Sequence, residues 1–107
     1  MTALDGMRQL LALEVADEIE DGAGGVARTW EPLGEVWAAL VPLSANDRMV
    51  ADRRIGAVSH RIVLRHRSDL TLSHRFRLGT RVFVVRAIRD PEERERIIEC
   101  LTLEEQP

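Results

Sequence analysis

The sequence predicts an all-β fold: a small antiparallel barrel or sandwich of about six strands, with one short helix or long loop between the second and third strands. Three observations carry that expectation. Apolar residues alternate with polar ones over several segments, most clearly from 57 to 67 and from 74 to 78. Turn residues separate those segments at Asp21–Gly25, Gly79-Thr80 and Asp90-Pro91. No helical pattern alternates with the strand patterns, which argues against βαβ units.

The first strand signal is Leu11, Leu13 and Val15 alternating with Ala12 and Glu14. The acidic run Ala16–Glu20 and the cluster Gly22, Gly24 and Gly25 then read as a hairpin loop. A second strand region runs from about Val26 to Val41. Pro32 cannot donate to a ladder and Gly34 tolerates unusual backbone angles, so a bulge or bend is expected there. Beyond it, Val36, Ala38 and Leu40 share one face while Trp37, Ala39 and Val41 share the other. Both faces are apolar. Either the strand is covered on both sides, or one face is an assembly surface.

Ser44 has the chemistry of an N-cap, and Asp47 three residues on makes an acidic variant of the capping box. Gly56 is a natural stop. Ser44–Gly56 is therefore a short helix or a structured loop, and segments of this length between strands are often functional. The competing reading is a surface helix that packs Met49 and Val50 on the barrel's open end. From Ala57 to Arg67, Val58, His60, Ile62, Leu64 and His66 share one face. Ser59, Arg61, Val63, Arg65 and Arg67 share the other, which is cationic. Phe76 and Leu78 alternate with Arg75 and Arg77. After Gly79-Thr80, Phe83, Val85 and Ala87 are expected on one face of the strand Arg81–Arg89, and Val82, Val84 and Ile88 on the other. The last strand spans Glu95–Leu103 with its inward face ambiguous.

A chain of 107 residues is one domain, 1–107. No apolar run reaches the length of a membrane span, and Met1–Gly6 lacks the basic and apolar parts of a signal peptide. Cys100 is the sole cysteine and sits in an apolar strand pattern, as a small buried hydrophobe does. These features point to synthesis in the cytoplasm. The charge is unevenly spread. Residues 1–24 carry six acids against Arg8, residues 25–90 carry twelve arginines against six acids, and residues 91–107 carry six glutamates against two arginines. Acidic ends around a basic middle can supply complementary faces in a self-assembling protein. Every basic residue is arginine, which suits interfaces and phosphate contacts better than lysine does.

No catalytic or metal constellation emerges. His60 and His66 lie about 20 Å apart along a strand at roughly 3.3 Å per residue, and neither CxxC nor HExxH occurs. Ser59-His60 and Ser73-His74 are adjacent pairs that a strand would direct to opposite faces. The glycines of Asp21–Gly25 match neither a P-loop nor a dinucleotide motif. No enzyme activity, cofactor or metal is expected. Arg61, Arg65 and Arg67 form a stripe that Arg75 and Arg77 extend if their strand is adjacent. That stripe suits phosphate contact, but the chain has no tyrosine and its two phenylalanines fit core positions, so a base-stacking platform is missing. An OB-like module binding nucleic acid without sequence preference is the alternative reading.

Several short pieces, in order, resemble one known family. They are the hairpin Asp21–Gly25, Thr29-Trp30-Glu31, Val36-Trp37-Ala38, Pro42-Leu43-Ser44, Ser59-His60-Arg61-Ile62, and Gly79-Thr80-Arg81-Val82-Phe83 followed by Asp90-Pro91. From about Leu11 to Leu103 the chain resembles the phage head–tail joining proteins, also called head-closure or stopper proteins, of tailed phages and gene transfer agents. The resemblance implies a small β-barrel that forms a six- or twelve-fold ring with copies of itself, below the portal and head adaptor. It implies closure of the filled head, contact with packaged double-stranded DNA in the channel, and docking of the tail terminator protein. Assembly would occur in the cytoplasm, away from membranes, and the chain would then leave in the released particle. The family's channel or gating loop falls on Ser44–Gly56, which makes Ser44, Asp47, Arg48, Met49, Asp52, Arg53 and Arg54 candidate channel residues. Trp37, Arg61, Arg65 and Arg67 are candidate subunit-interface residues, with a barrel-closing core role as the other reading for Trp37. The stretch Met1–Gln9 is longer than the family's usual lead into the first strand.

Overall fold

The computed structural model describes residues 7–105, so the readings made on Met1–Gly6 lie outside the described residues. Six strands form one closed antiparallel barrel: β1 (Gln9–Glu20), β2 (Val26–Pro42), β3 (His60–Arg65), β4 (His74–Leu78), β5 (Arg81–Arg89) and β6 (Ile97–Glu104). Around the barrel the order is β1-β2-β3-β6-β5-β4, and β4 closes back onto β1. One helix, α1 (Ala45–Ile55), connects β2 to β3. The expected fold class, strand number and helix position are all present.

Alternation explains the core. Leu11 and Leu13 of β1, Ala38 of β2, Ile62 and Leu64 of β3, Phe76 of β4, Phe83 and Val85 of β5, and Ile98 and Cys100 of β6 all point inward and are buried together. Fully burying a side chain of this size contributes roughly 1.5–3 kcal/mol relative to leaving it in water. Inward Ile98, Cys100 and Thr102 resolve the face that the apolar pattern of the last strand left ambiguous. The Thr102 hydroxyl, with no exposure, donates to the His60 carbonyl at 3.0 Å, so the one polar inward group there is satisfied. On the outer face of β2, Ala39 packs with Val63, Ile97, Met7 and Val41 in a second, smaller cluster.

Two bulges re-aim the strands. Leu13 pairs with Gly34 and Glu14 with Pro32, which leaves Leu33 as the extra residue. Gly34 takes φ +111°, a region that a side chain would strain. This is the bend expected from Pro32 and Gly34, and it reverses the parity of β2: even positions face inward after it, odd ones before. The second bulge was not foreseen. Val85 pairs with Thr102 and Ala87 with Leu101, so Arg86 is extra. Ile88 is thereby turned onto the core and Ala87 outward, the reverse of the assignment made from simple alternation.

The first hairpin is longer than its sequence suggested. Ala16–Glu20, expected as loop, continues β1 and pairs with Val26–Trp30. Only Asp21–Gly25 turns the chain. Asp21 Oδ1 accepts from the backbone N–H of Ala23 and Gly25 at 2.8 and 3.0 Å, and those bonds hold its carboxyl below the usual carboxylate range. β1 pairs with β4 only as far as Val15, and β2 pairs with β3 only from Ala38. The tip of the hairpin therefore projects from the barrel as a two-stranded arm. Two strands are shorter than expected: β3 covers His60–Arg65 of the proposed Ala57–Arg67, and β6 starts at Ile97 because Asp90 folds residues 90–95 into a turn.

Candidate assembly surfaces

Three surface features surround the barrel: α1, the β1–β2 arm, and the depression beside Trp37. Ser44 caps α1 as expected, its Oγ accepting from the Asp47 N–H at 3.2 Å, and Gly56 ends the helix at φ +93°. Asp47 in the first turn and Arg53 and Arg54 in the last complement the helix dipole. Ala51 is the one buried residue of the helix, while Met49 and Val50 are more than half exposed. The seven candidate channel residues divide by helix face. Asp47 and Arg54 line a groove against the barrel wall together with Val50, Ala51 and Ile55. Arg48, Met49 and Asp52 lie on the other side, beside Ala57 and Val58. Arg53 is exposed and Ser44 is occupied as the cap.

The four candidate interface residues do not form one patch. Trp37, Arg65 and Arg67 come together with Met7, Val36 and Leu64 around a depression of about 400 Å3. Trp37 is 59 % exposed, so it closes no core. Its cross-strand partner Leu10 is also exposed, which makes this an apolar spot on the outer wall. Arg67 is held by Asp69 through two bonds of 2.9 and 2.8 Å. Arg61 lies elsewhere, in the groove beneath α1.

The arginine stripe does not extend as anticipated. β3 neighbours β2 and β6, whereas β4 neighbours β1 and β5, so Arg75 and Arg77 sit away from Arg61 and Arg65. They are instead drawn to Glu14: Arg75 Nε donates to Glu14 Oε1 at 2.7 Å, and Arg77 lies 3.6 Å from Oε2. Arg75 also stacks over Trp30, with its guanidinium 4.1 Å from the ring centroid. Arg81 pairs with Glu104 and Arg89 with buried Glu99. Much of the basic middle is thus neutralised within the subunit. That weakens the OB-like nucleic-acid reading, which needs free cations along one groove. The stacking of Trp30 was missed in the sequence because its partner is distant along the chain.

His60 and His74 are packing residues. His74 is buried, and its Nδ1 accepts from the Thr71 N–H at 3.1 Å. His60 stands edge-on to Phe83 with centroids 5.2 Å apart. Burial pushes its pKa below the ordinary value. Glu104, 4.0 Å away, pulls the other way, while Arg81 and Arg48 add to the depression. Ser59 and His60 were expected to diverge, yet Ser59 Oγ lies 2.8 Å from His60 Nδ1. Ser59 precedes the start of β3, so strand alternation does not govern it. Its oxygen also accepts from the Glu104 N–H at 2.8 Å, which makes the group a fastening between β3 and β6. Among the described residues no group of three or more His, Cys, Asp or Glu is placed to hold a metal, and no helix is long and apolar enough to cross a membrane.

Comparisons with known proteins match this architecture. Among curated proteins none matches significantly. A solution structure of protein SF1141 from Shigella flexneri 2a has the same fold, with a TM-score of 0.75 over 96 % of both chains at 20 % identity. A chain of the virion of a native gene transfer agent particle matches over 94 % of both chains, with 30 % identity and a TM-score of 0.71. The model of the phage head completion protein family matches residues 5–105. The chain therefore belongs to the phage head completion protein family, and is a structural, non-enzymatic protein of the phage-type head.

Proposed function

We propose that this protein is a stopper subunit that forms a six- or twelve-fold ring below the portal and head adaptor, closes the DNA-filled head and docks the tail terminator. The observation that carries the proposal is the end-to-end match with a chain of a gene transfer agent virion. The surfaces support it. A ring of identical subunits needs two unlike faces on each copy, and this subunit has an acidic arm and an arginine-bearing groove. In this reading the free side of α1, with Arg48, Met49, Asp52 and Arg53, is turned toward the channel and its DNA. Trp37, with Arg65 and Arg67, offers an anchor for the adaptor or the tail terminator, since exposed tryptophan and arginine dominate such contacts.

Electron microscopy of particles made without this chain tests the proposal. Tailless heads that lose their DNA are the expected outcome. Tailed, filled particles in normal number would overturn it.

A further inference from the structure

The groove between α1 and the outer wall of the barrel holds about 350 Å3. Its floor is apolar, made by Val50, Ile55, Ala87 and Leu101; Arg54 and Arg61 stand at its sides, with Asp47 and the internally paired Arg89 and Glu99 also on its lining. Neither arginine takes part in an ion pair among the described residues. The Arg61 Nε is buried and has no hydrogen-bond partner. A buried cationic donor left unpaired is costly, so the groove is incomplete within the single subunit. The helix above it is held by little more than Ala51, which fits a socket still lacking its occupant.

The arm supplies the complement. Asp17, Glu18, Glu20 and Asp21 crowd its tip, and its cation Arg28 is already paired with Glu18 at 2.9 Å. Ile19 is 53 % exposed in the middle of this acidic run. Asp17 shares its face, because strand side chains alternate, and the residue opposite Ile19 is the small Ala27. Ile19 therefore stands proud between carboxylates, the shape and charge that an apolar floor flanked by arginines accepts.

We propose that this groove is the socket for the hairpin arm of a second copy of this chain, with Ile19 seated on its apolar floor and Asp17 facing Arg61. The inference rests on the ring reading above and names its subunit contact. β2 runs from the arm to the residues before α1, and its 17 residues span about 55 Å at roughly 3.3 Å each. That is close to the long dimension of the molecule, 51 Å, so arm and socket sit at opposite ends. A contact joining opposite ends is head-to-tail, the kind that closes into a ring. The division of α1 follows: the face bearing Val50, Ala51 and Arg54 holds the neighbour, and the opposite face stays free.

Particles carrying Ile19→Cys together with Val50→Cys test the contact, treated with a short bis-maleimide. The buried native Cys100 leaves the background low. A ladder of linked dimers and larger species is expected from the double variant, and monomer alone from each single variant. Tailed, DNA-filled particles that contain the double variant without a ladder overturn the arm-in-socket contact and leave the ring intact. Absence of the wild-type chain from purified particles overturns the ring reading itself. As an independent measurement, Asp17→Arg and Arg61→Asp should each lower incorporation into particles at least about tenfold, as charge reversal at a desolvated pair does. The two together should restore it. Lack of rescue, with each purified variant melting like the wild type, also overturns the contact.

Discussion

Glu14 and Arg75 lock the seam at which the barrel closes. They sit on paired positions of β1 and β4, the Glu14 side chain is 7 % exposed, and Arg75 Nε donates to Oε1 at 2.7 Å. Trp30 covers the same guanidinium, so the base of the arm and the closing seam share one arginine.

This arrangement predicts the cost of breaking it. Removing one member of a buried ion pair leaves the other charge without compensation. Glu14→Ala is expected to lower stability by about 3 kcal/mol, at the low end of values for such pairs because Arg75 keeps some contact with solvent. Urea unfolding of the purified chain at neutral pH measures it. A change within a few tenths of a kcal/mol would show that the pair stabilises nothing.

His60 predicts a pH dependence. Its folded pKa lies below the ordinary value, so below about 6.5 the unfolded chain binds a proton that the folded one resists. The contribution is complete above the unfolded pKa and is lost as pH falls through the lowered folded value. Melting temperature should therefore decline with acidification from about pH 6.5, and His60→Gln should flatten that decline. The ion-paired or hydrogen-bonded carboxylates Asp21, Asp69, Asp90 and Glu104, all held below their ordinary values, act in a more acidic window.

Cys100 is expected to be unreactive in the native protein. It has no exposure, and burial, reinforced by neighbouring Glu99, pushes its thiol up to about 12. An aromatic disulfide reagent at pH 8 should label it slowly in buffer and fully in denaturant. Rapid native labelling would mean that β6 opens readily.

The free side of α1 gives a test of the channel reading separate from assembly. Arg48→Glu with Arg53→Glu changes charge on that side and leaves the groove-lining Val50, Ala51 and Arg54 unchanged. Ring incorporation should be unaffected while DNA retention changes, read as nuclease-sensitive DNA per particle. Unchanged retention would remove these residues from DNA contact.

Local pattern alone carried much of this protein. Alternation put Ile62, Leu64, Phe76 and Phe83 in the core, and Ser44, Asp47 and Gly56 bounded the helix, because side-chain facing and capping depend on neighbours in the chain. Pro32 and Gly34 announced their own bulge for the same reason. What only the tertiary structure decided is non-local. Whether Arg75 lies beside Arg61 or Glu14 depends on strand order, and no periodicity records which strands become neighbours. The bulge at Arg86 is chosen by the register of β5 on β6, and it exchanges the faces of Ala87 and Ile88 without a proline or glycine to mark it. The acidic run after Val15 looks like loop because it is polar. It is strand because it pairs residue for residue with Val26–Trp30, a partner that the local polarity of the run does not record.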